Sequence, residues 1–270
     1  MKHHAISLTK FDENALCEDA SFSAPRIVAV SDGAGGGGVL AERWSEHIVR
    51  HIPEAPILDF AQFLAWYDGM WEDFYNWAEE VADSRGGLFQ RKFYDEGSFA
   101  TVVAAWRVSD TEARWMKYGD SVAFCYTPSS KKLAYSPIKL AEFDRPPYLI
   151  NCSSQPVEEG FMSGMFETAT DSIMFVTSDA LARYIITMYA IEHKKSYGCE
   201  LQEAIGLGTQ NAQYIYNSTT KKLKGFERNV ISKLLNSSCV KGDFEGHLAR
   251  LRRMGILGHD DYSIAWMRNK

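Results

Sequence analysis

Acidic residues recur at the ends of strand-like segments along the whole chain. They are Glu18, Asp19, Asp32, Asp120, Asp179 and Asp260. Carboxylates gathered at one end of a sheet form an oxygen-rich site for hard divalent cations such as Mg²⁺ or Mn²⁺. A single aspartate in such a place is more often a turn residue or a helix N-cap than a metal ligand. The prediction of a metal site therefore depends on the joint pattern.

The most distinctive single segment is an apolar strand that ends in Asp32 and a glycine cluster at 33–38. Gly33, Gly35 and Gly38 match the pattern GxGxxG, which in a strand–loop–helix context would bind a dinucleotide pyrophosphate. Three features oppose that hypothesis. Other strands precede this one, Asp32 lies directly ahead of the first glycine, and no acidic residue ends a strand at the usual distance downstream, since Asp59 lies in helix-like sequence. A nicotinamide-dependent oxidoreductase is therefore the least favoured of the three functional hypotheses for this chain.

Two histidines, His47 and His51, form an HxxxH pair at helical spacing. A zinc protease motif would have glutamate directly after the first histidine, and Ile48 occupies that place. The pair is therefore predicted to be an ordinary helix-surface pair. The aromatic residues between Trp66 and Trp77 have helical spacing as well, which is typical of core packing.

Local patterns predict the elements that must position these side chains. Strands are predicted over 4–9, 19–24, 26–31, 172–178 and 261–268, and a block of consecutive strands over 98–137. Two helices are predicted between Leu40 and about Val81, another over 180–195, and more helix over 200–255. The segment 138–170 is predicted to be irregular. Short connections between consecutive strands indicate antiparallel pairing, so we predict an α+β fold of two face-to-face antiparallel sheets covered by helices.

Composition and charge exclude several classes of protein. The chain has 270 residues, of which 46% are hydrophobic, and a net charge of −6, so we expect one globular domain over 1–270 with no nucleic-acid or membrane partner. The basic runs at 221–224 and 250–253 are predicted to be solvated helix faces, at best local patches that attract phosphate. Five scattered cysteines and the lack of a signal-peptide pattern predict a cytoplasmic location.

Six short motifs along the chain resemble those of the metal-dependent Ser/Thr protein phosphatases of type 2C, especially the divergent bacterial branch. They occur in the order found in that family, across nearly the whole chain. They are Glu18-Asp19, Ser31-Asp32-Gly33-Ala34-Gly35-Gly36, Gly97-Ser98-Phe99-Ala100-Thr101, Gly119-Asp120-Ser121, Thr177-Ser178-Asp179-Ala180 and Asp260-Asp261-Tyr262-Ser263. The resemblance implies a four-layer αββα sandwich.

The resemblance also implies a role for each acidic residue. Asp32 would bridge two Mn²⁺ or Mg²⁺ ions, with the carbonyl of Gly33 on one of them, and Asp179 and Asp260 would bind the first ion. Glu18 and Asp19 would hold metal-bound waters. Asp120 would bind a third, weaker ion. The implied reaction is hydrolysis of phosphoserine or phosphothreonine in proteins by a metal-bridging water, opposite a Ser/Thr kinase, with Asp32, Asp179 and Asp260 as catalytic residues.

Three positions depart from the family pattern. Ala34 replaces a histidine that acts as a candidate general acid in eukaryotic members, and Ala180 replaces the usual glycine. The phosphate-binding arginine has no clear equivalent: Asn14 stands near its place, and Lys10 is the nearest cation. His259, beside Asp260, is the candidate general acid. These departures keep a second hypothesis open, a catalytically impaired pseudophosphatase that acts as a partner-binding module.

Overall fold

The computed structural model describes residues 1–12, 15–36, 38–221 and 225–269. The strands are β1 (Lys2–Leu8), β2 (Ala20–Ala24), β3 (Ile27–Ser31), β4 (Phe99–Ala100), β5 (Val102–Arg107), β6 (Glu112–Tyr118), β7 (Val122–Thr127), β8 (Lys132–Tyr135), β9 (Ile150–Asn151), β10 (Phe161–Glu167), β11 (Ile173–Thr177) and β12 (Tyr262–Arg268). The helices are α1 (Ala41–Arg50), α2 (Phe60–Asp68), α3 (Trp71–Arg85), α4 (Gly87–Glu96), α5 (Asp179–Glu192), α6 (Lys194–Gly206), α7 (Gln210–Thr220), α8 (Ser232–Ser238) and α9 (Lys241–Arg253). Short 3₁₀ turns lie at Leu140–Asp144 and Glu158–Gly160, and a π-helical turn, Glu227–Ile231, leads into α8.

Two large antiparallel sheets form the centre of the molecule. One has the strand order β1-β12-β11-β7-β8, and the other has the order β10-β6-β5-β3-β2. β4 and β9 form a separate small ladder. Every strand pair in the described residues is antiparallel. A dinucleotide-binding fold needs parallel strands joined by helices, so the pairing argues against the oxidoreductase hypothesis.

Three hydrophobic cores separate four layers. Alternate side chains of β5 point to opposite faces of its sheet and so lie in different cores. Val103 and Ala105 lie in the core between the two sheets, whereas Val102 and Ala104 lie in the core beneath helices α1–α4. The third core lies between the other sheet and helices α5–α9. The layer order is therefore helices, sheet, sheet, helices, as the sequence predicted.

The structure differs from the sequence-based prediction in two segments. Three helices, α1–α3, stand between Leu40 and about Val81, where two were predicted, because the apolar stretch is divided at Gly69. α4 follows beyond that range, after Gly86. The segment 138–170 was predicted to be irregular and contains β10, an edge strand paired with β6. Gly164 in β10 lies opposite Trp115, and a Cβ at Gly164 would collide with the indole ring. This glycine serves close packing rather than a turn.

All five cysteines are free thiols in the structure. None of the described helices has both the length and the apolar character needed to cross a bilayer.

Candidate metal centre

The strand register brings the acidic residues to one end of the sandwich. Glu18 and Asp19 precede β2 and Asp32 follows β3, and these strands pair through Ala20 and Ser31. In the other sheet, Thr177 at the end of β11 pairs with both Val122 and Ile264. Antiparallel pairing therefore places the end of one strand beside the start of the next, and the flanking carboxylates share one edge.

Backbone and hydroxyl contacts fix the strand end that carries Asp32. The Thr101 N–H donates to the Asp32 carbonyl at 2.8 Å, and the Asp32 N–H donates to Thr101 Oγ1 at 3.3 Å. The Thr101 hydroxyl also lies 2.8 Å from the hydroxyl of Ser121, which neighbours Asp120 in the other sheet. Thr101 therefore links the two carboxylate-bearing loops across the sandwich.

Asp261 holds the N-terminal part of the site in place. Its Oδ1 accepts a hydrogen bond from the Lys10 N–H at 2.6 Å, and its Oδ2 accepts one from the Glu18 N–H, also at 2.6 Å. The Asp261 N–H in turn donates to Oδ1 of Asp260 at 2.9 Å. One buried carboxylate thus connects both ends of the segment 10–18 to the loop that carries Asp260.

The glycine cluster makes room for Glu18. A Cβ at Gly35 would collide with the Glu18 carboxylate, and a Cβ at Gly33 would collide with the Glu18 carbonyl oxygen. Close approach of backbone atoms requires glycine at position 33, and a side chain at position 35 would displace the Glu18 carboxylate. Packing against Glu18 thus accounts for Gly33 and Gly35 without a dinucleotide.

The carboxylates raise one another's pKa. Burial, followed by the charges of Asp19, Asp179 and Asp120, holds the pKa of Asp32 well above its usual range. Burial and the nearby charge of Asp261 raise the pKa of Asp19 in the same direction, against the opposing effect of neighbouring serine hydroxyls. Like charges in a partly desolvated space repel one another, so this edge of the molecule favours bound cations.

Two buried basic residues act electrostatically on this group. Burial raises the pKa of Asp120 to about 7, and the positive charge of Lys117 on β6 opposes the rise. Burial raises the pKa of Asp260 to about 6, and Arg183, one turn after Asp179 on α5, opposes that rise. Lys117 is 4% exposed and burial lowers its pKa to about 8, while Arg183 is 5% exposed. Neither side chain compensates the full charge of the acidic group.

The donor chemistry of this edge fits a hard divalent cation. The candidate ligands are oxygen atoms, and the buried Oδ2 of Asp19 has no hydrogen-bond partner among the described residues. Over the same described ranges, no three or more His, Cys, Asp and Glu side chains are arranged to hold a metal ion as they stand.

Of the two weaker predicted residues, Lys10 lies at this edge and His259 lies beside it. Lys10 Nζ is 3.9 Å from Glu18 Oε2. His259 Nε2 is 2.8 Å from Oδ1 of Asp12, and the histidine side chain is 39% exposed. Asn14, which stands near the place of the family's arginine, lies outside the described residues.

The HxxxH pair lies on α1 away from the carboxylates. His47 Nε2 lies 2.8 Å from the Met70 carbonyl oxygen, and the two histidine rings are 4.1 Å apart. Each ring therefore has a contact that needs no metal, in agreement with the helix-surface prediction.

Four residues that shape this edge were not predicted from the sequence to have a role: Thr101, Lys117, Arg183 and Asp261. Thr101 and Asp261 lie within recognised motifs, so their positions were visible although their hydrogen bonds were not. Lys117 had a usable signal, because it is a charged residue two positions before Gly119, between Met116 and Tyr118 at the apolar end of its strand. Arg183 had the corresponding signal in α5, whose residues 180–190 are all buried.

Comparisons with solved structures agree with this architecture. The Mycobacterium tuberculosis serine/threonine phosphatase PstP/Ppp superposes with a TM-score of 0.53 at 13% identity, covering 100% of this chain and 99% of that chain. Serine/threonine phosphatase Stp1 from Staphylococcus aureus gives 0.52 at 12% identity, covering 100% and 96%. PppA, a regulatory component of the T6SS in Pseudomonas aeruginosa, gives 0.51 at 14% identity, covering 99% and 96%.

Comparison with models of known families found no match, and neither did comparison with curated protein sequences. The structural similarity extends over nearly the full length of each chain, and it confirms at the level of the fold the resemblance that the six motifs indicated. The chain therefore has the fold of the bacterial serine/threonine phosphatases.

Proposed function

We propose that this protein is a Mn²⁺- or Mg²⁺-dependent phosphomonoester hydrolase, built as one domain, that dephosphorylates phosphoserine or phosphothreonine in proteins. One observation carries the proposal: carboxylates from separate connections share one edge of the sandwich and raise one another's pKa. The solved structures with the same fold are named as serine/threonine phosphatases, which supports the substrate class.

In this proposal Asp32, Asp179 and Asp260, with the Gly33 carbonyl, hold two divalent cations. When bound, the cations supply a clamp for the phosphate and activate the attacking water. Asp120 contributes to a third, weaker site.

The other residues of this edge orient these ligands. Glu18 and Asp19 extend the oxygen-rich surface toward the N-terminal segment, and Asp261 sets their position by holding the Glu18 N–H. Thr101 keeps Asp32 and the Asp120 loop at a fixed separation through its contacts with Asp32 and Ser121.

The phosphate of the substrate needs a cation from the protein as well. Lys10 is our candidate, because its ammonium group lies beside Glu18 at the mouth of the site. Arg183 and Lys117 are buried, so their charges act on Asp260 and Asp120 rather than on the substrate. The predicted opposing kinase and the cytoplasmic location remain predictions from the sequence.

An assay with an aryl phosphate, with Mn²⁺ and then with excess chelator, tests the proposed activity. We expect turnover that requires Mn²⁺ and disappears with the chelator, and the same dependence with a phosphoserine peptide. A protein that binds Mn²⁺ by calorimetry without turnover on either substrate would favour the pseudophosphatase hypothesis. Nicotinamide cofactor binding with no phosphatase activity would contradict both.

A further inference from the structure

A basic cleft lies beside the candidate metal centre, on the last turns of α9. It has a volume of about 480 Å³ and is lined by Phe11, Gly246, Ala249, Arg252 and Arg253. Gly246 and Ala249 have small side chains, so the floor of the cleft is open enough for an extended side chain to enter. The sequence marked this region only as a basic run on a helix, and the proposed reaction does not use it.

Arg252 is held in the cleft by an aromatic ring. Its guanidinium carbon lies 5.3 Å from the centre of the Phe11 ring, and that ring packs against Tyr262 at a centroid distance of 6.0 Å. A cation–π contact orients a guanidinium group without using its N–H donors. Arg252 is therefore positioned with its hydrogen-bonding capacity still available.

The positive charge of the cleft is not neutralised by the described residues around it. Within the described ranges, neither Arg252 nor Arg253 forms an ion pair. Asp12 is engaged by His259, and Glu245 on the same helix is paired with Lys241. Two uncompensated arginines in a chain of net charge −6 form a local site for an anionic group.

The segment that lines one side of the cleft is hydrogen-bonded to residues of the candidate metal centre. Phe11 and Asp12 belong to the segment that Asp261 anchors at Lys10 and Glu18, and His259, which contacts Asp12, directly precedes Asp260. A peptide with its phosphoresidue at the carboxylate edge would thus have neighbouring residues beside the two arginines.

We propose that this cleft binds an acidic segment of the phosphoprotein substrate, with Asp or Glu side chains placed against Arg252 and Arg253. The inference rests on the proposed function for the nature of the substrate. Guanidinium groups bind carboxylates in a planar, two-pronged geometry, which suits Asp and Glu side chains that approach from solvent. The cleft would then give the enzyme a preference for substrates with acidic residues near the phosphorylation site.

A binding experiment tests the proposal without any need for catalysis. The probe is a fluorescein-labelled unphosphorylated peptide with four glutamates, compared with the same peptide carrying glutamines. We expect fluorescence anisotropy to show binding of the glutamate peptide only. The Arg252→Gln/Arg253→Gln variant should weaken it roughly tenfold, and Phe11→Ala, which removes the ring beneath Arg252, should weaken it to a smaller extent.

A matched control removes the same charge elsewhere. Arg91→Gln/Lys92→Gln takes two positive charges from α4, which does not line the cleft, and should leave binding unchanged. Equal loss of binding in both double variants, no loss in the cleft variant, or equal affinity for the two peptides would each overturn the proposal. Circular dichroism of each variant establishes that the fold is retained.

Kinetics separate this inference from the proposed function. With phosphoserine peptides, the cleft variant should raise KM for the acidic peptide about tenfold and leave kcat and aryl phosphate hydrolysis unchanged. Turnover without selective binding of acidic peptides would overturn the cleft assignment and leave the phosphatase proposal intact. Selective binding without any turnover would retain the cleft as an acidic-peptide site and overturn the phosphatase proposal.

Discussion

Asp261 accepts a hydrogen bond of 2.6 Å from the backbone N–H of Glu18, although 243 residues separate them in the chain. Its other oxygen accepts the Lys10 N–H at the same distance. The last strand thus defines where the first acidic residues lie. Only a carboxylate presents a separate acceptor oxygen to each of these two N–H groups.

We expect Asp261→Ala to lower the free energy of unfolding by about 1–3 kcal/mol, because it leaves two backbone N–H groups without their acceptor. It should also raise the Mn²⁺ concentration needed for half-maximal activity, since Glu18 loses its anchor. Asp261→Asn, which keeps one acceptor, should lie between Asp261→Ala and wild type in both measurements.

Asp171→Ala is the matched control for the Asp261 variants. Asp171 accepts a backbone N–H from Ser129 at 2.7 Å and lies in a turn away from the acidic residues. Its loss should lower stability without changing the Mn²⁺ requirement. An unchanged Mn²⁺ requirement in Asp261→Ala would show that Asp261 is structural only.

Asp32→Asn should abolish Mn²⁺-dependent hydrolysis of an aryl phosphate and leave the protein folded. Its carboxylate is the proposed bridge between two ions, and its removal relieves repulsion from Asp19 and Asp179 in the metal-free protein. Thermal unfolding without metal should therefore show a melting temperature equal to or above that of wild type. Asp68→Asn, on the exposed end of α2, should change neither property. Full activity in a folded Asp32→Asn protein would refute the metal-site assignment.

The stability of the metal-free protein should depend on the protonation of Asp120. Its pKa is about 7 in the folded protein, against 3.8 for an unperturbed aspartate. The folded state therefore holds a proton that the unfolded state releases. The contribution of this proton to the free energy of unfolding is fully present below about pH 4. It is lost as the pH rises through 7, by up to about 1.4 kcal/mol per pH unit.

Urea unfolding of wild type and Asp120→Asn at a series of pH values measures this contribution. The difference in unfolding free energy between the two proteins should change in favour of the variant as the pH rises from about 4 to 7. Parallel curves would show that Asp120 does not titrate in this range.

Calorimetry of Asp120→Ala should still find two tightly bound Mn²⁺ ions, because Asp120 belongs to the weaker site.

The leaving group should receive little protonation from the protein. The Ala34 side chain cannot donate a proton. The His259 side chain is exposed, and its Nε2 lies 2.8 Å from Oδ1 of Asp12. Since general acid catalysis contributes roughly 10²–10⁴-fold, we expect aryl phosphates to react much faster than a phosphoserine peptide of comparable affinity. Turnover should depend steeply on the pKa of the leaving alcohol.

His259→Ala distinguishes the two sources of a proton. A steep dependence that the variant leaves unchanged supports the absence of a general acid. A shallow dependence in wild type that becomes steep in His259→Ala would identify His259 as the acid instead. A shallow dependence in both proteins would point to a donor outside both hypotheses.

The sequence predicted the layers and the acidic edge because both depend on local patterns. Strand periodicity and the position of Asp32 or Asp179 at a strand end are visible in a few consecutive residues. The roles of Lys117 and Arg183 were not visible, because they depend on which strands and helices meet in three dimensions. β10 was missed because Gly164 interrupts its pattern, and the reason for that glycine is a tryptophan 49 residues earlier in the chain.

Because one carboxylate fixes both ends of the segment 10–18, that segment is a closed loop whose anchors do not depend on its interior sequence. Closure entropy grows slowly with length, and a doubling of such a loop costs only about 0.6 kcal/mol. Insertions or substitutions between the anchors should therefore be well tolerated by the fold. Since Phe11 belongs to this loop and forms one wall of the basic cleft, substrate preference can diverge between related chains while Glu18 and the acidic edge remain in place.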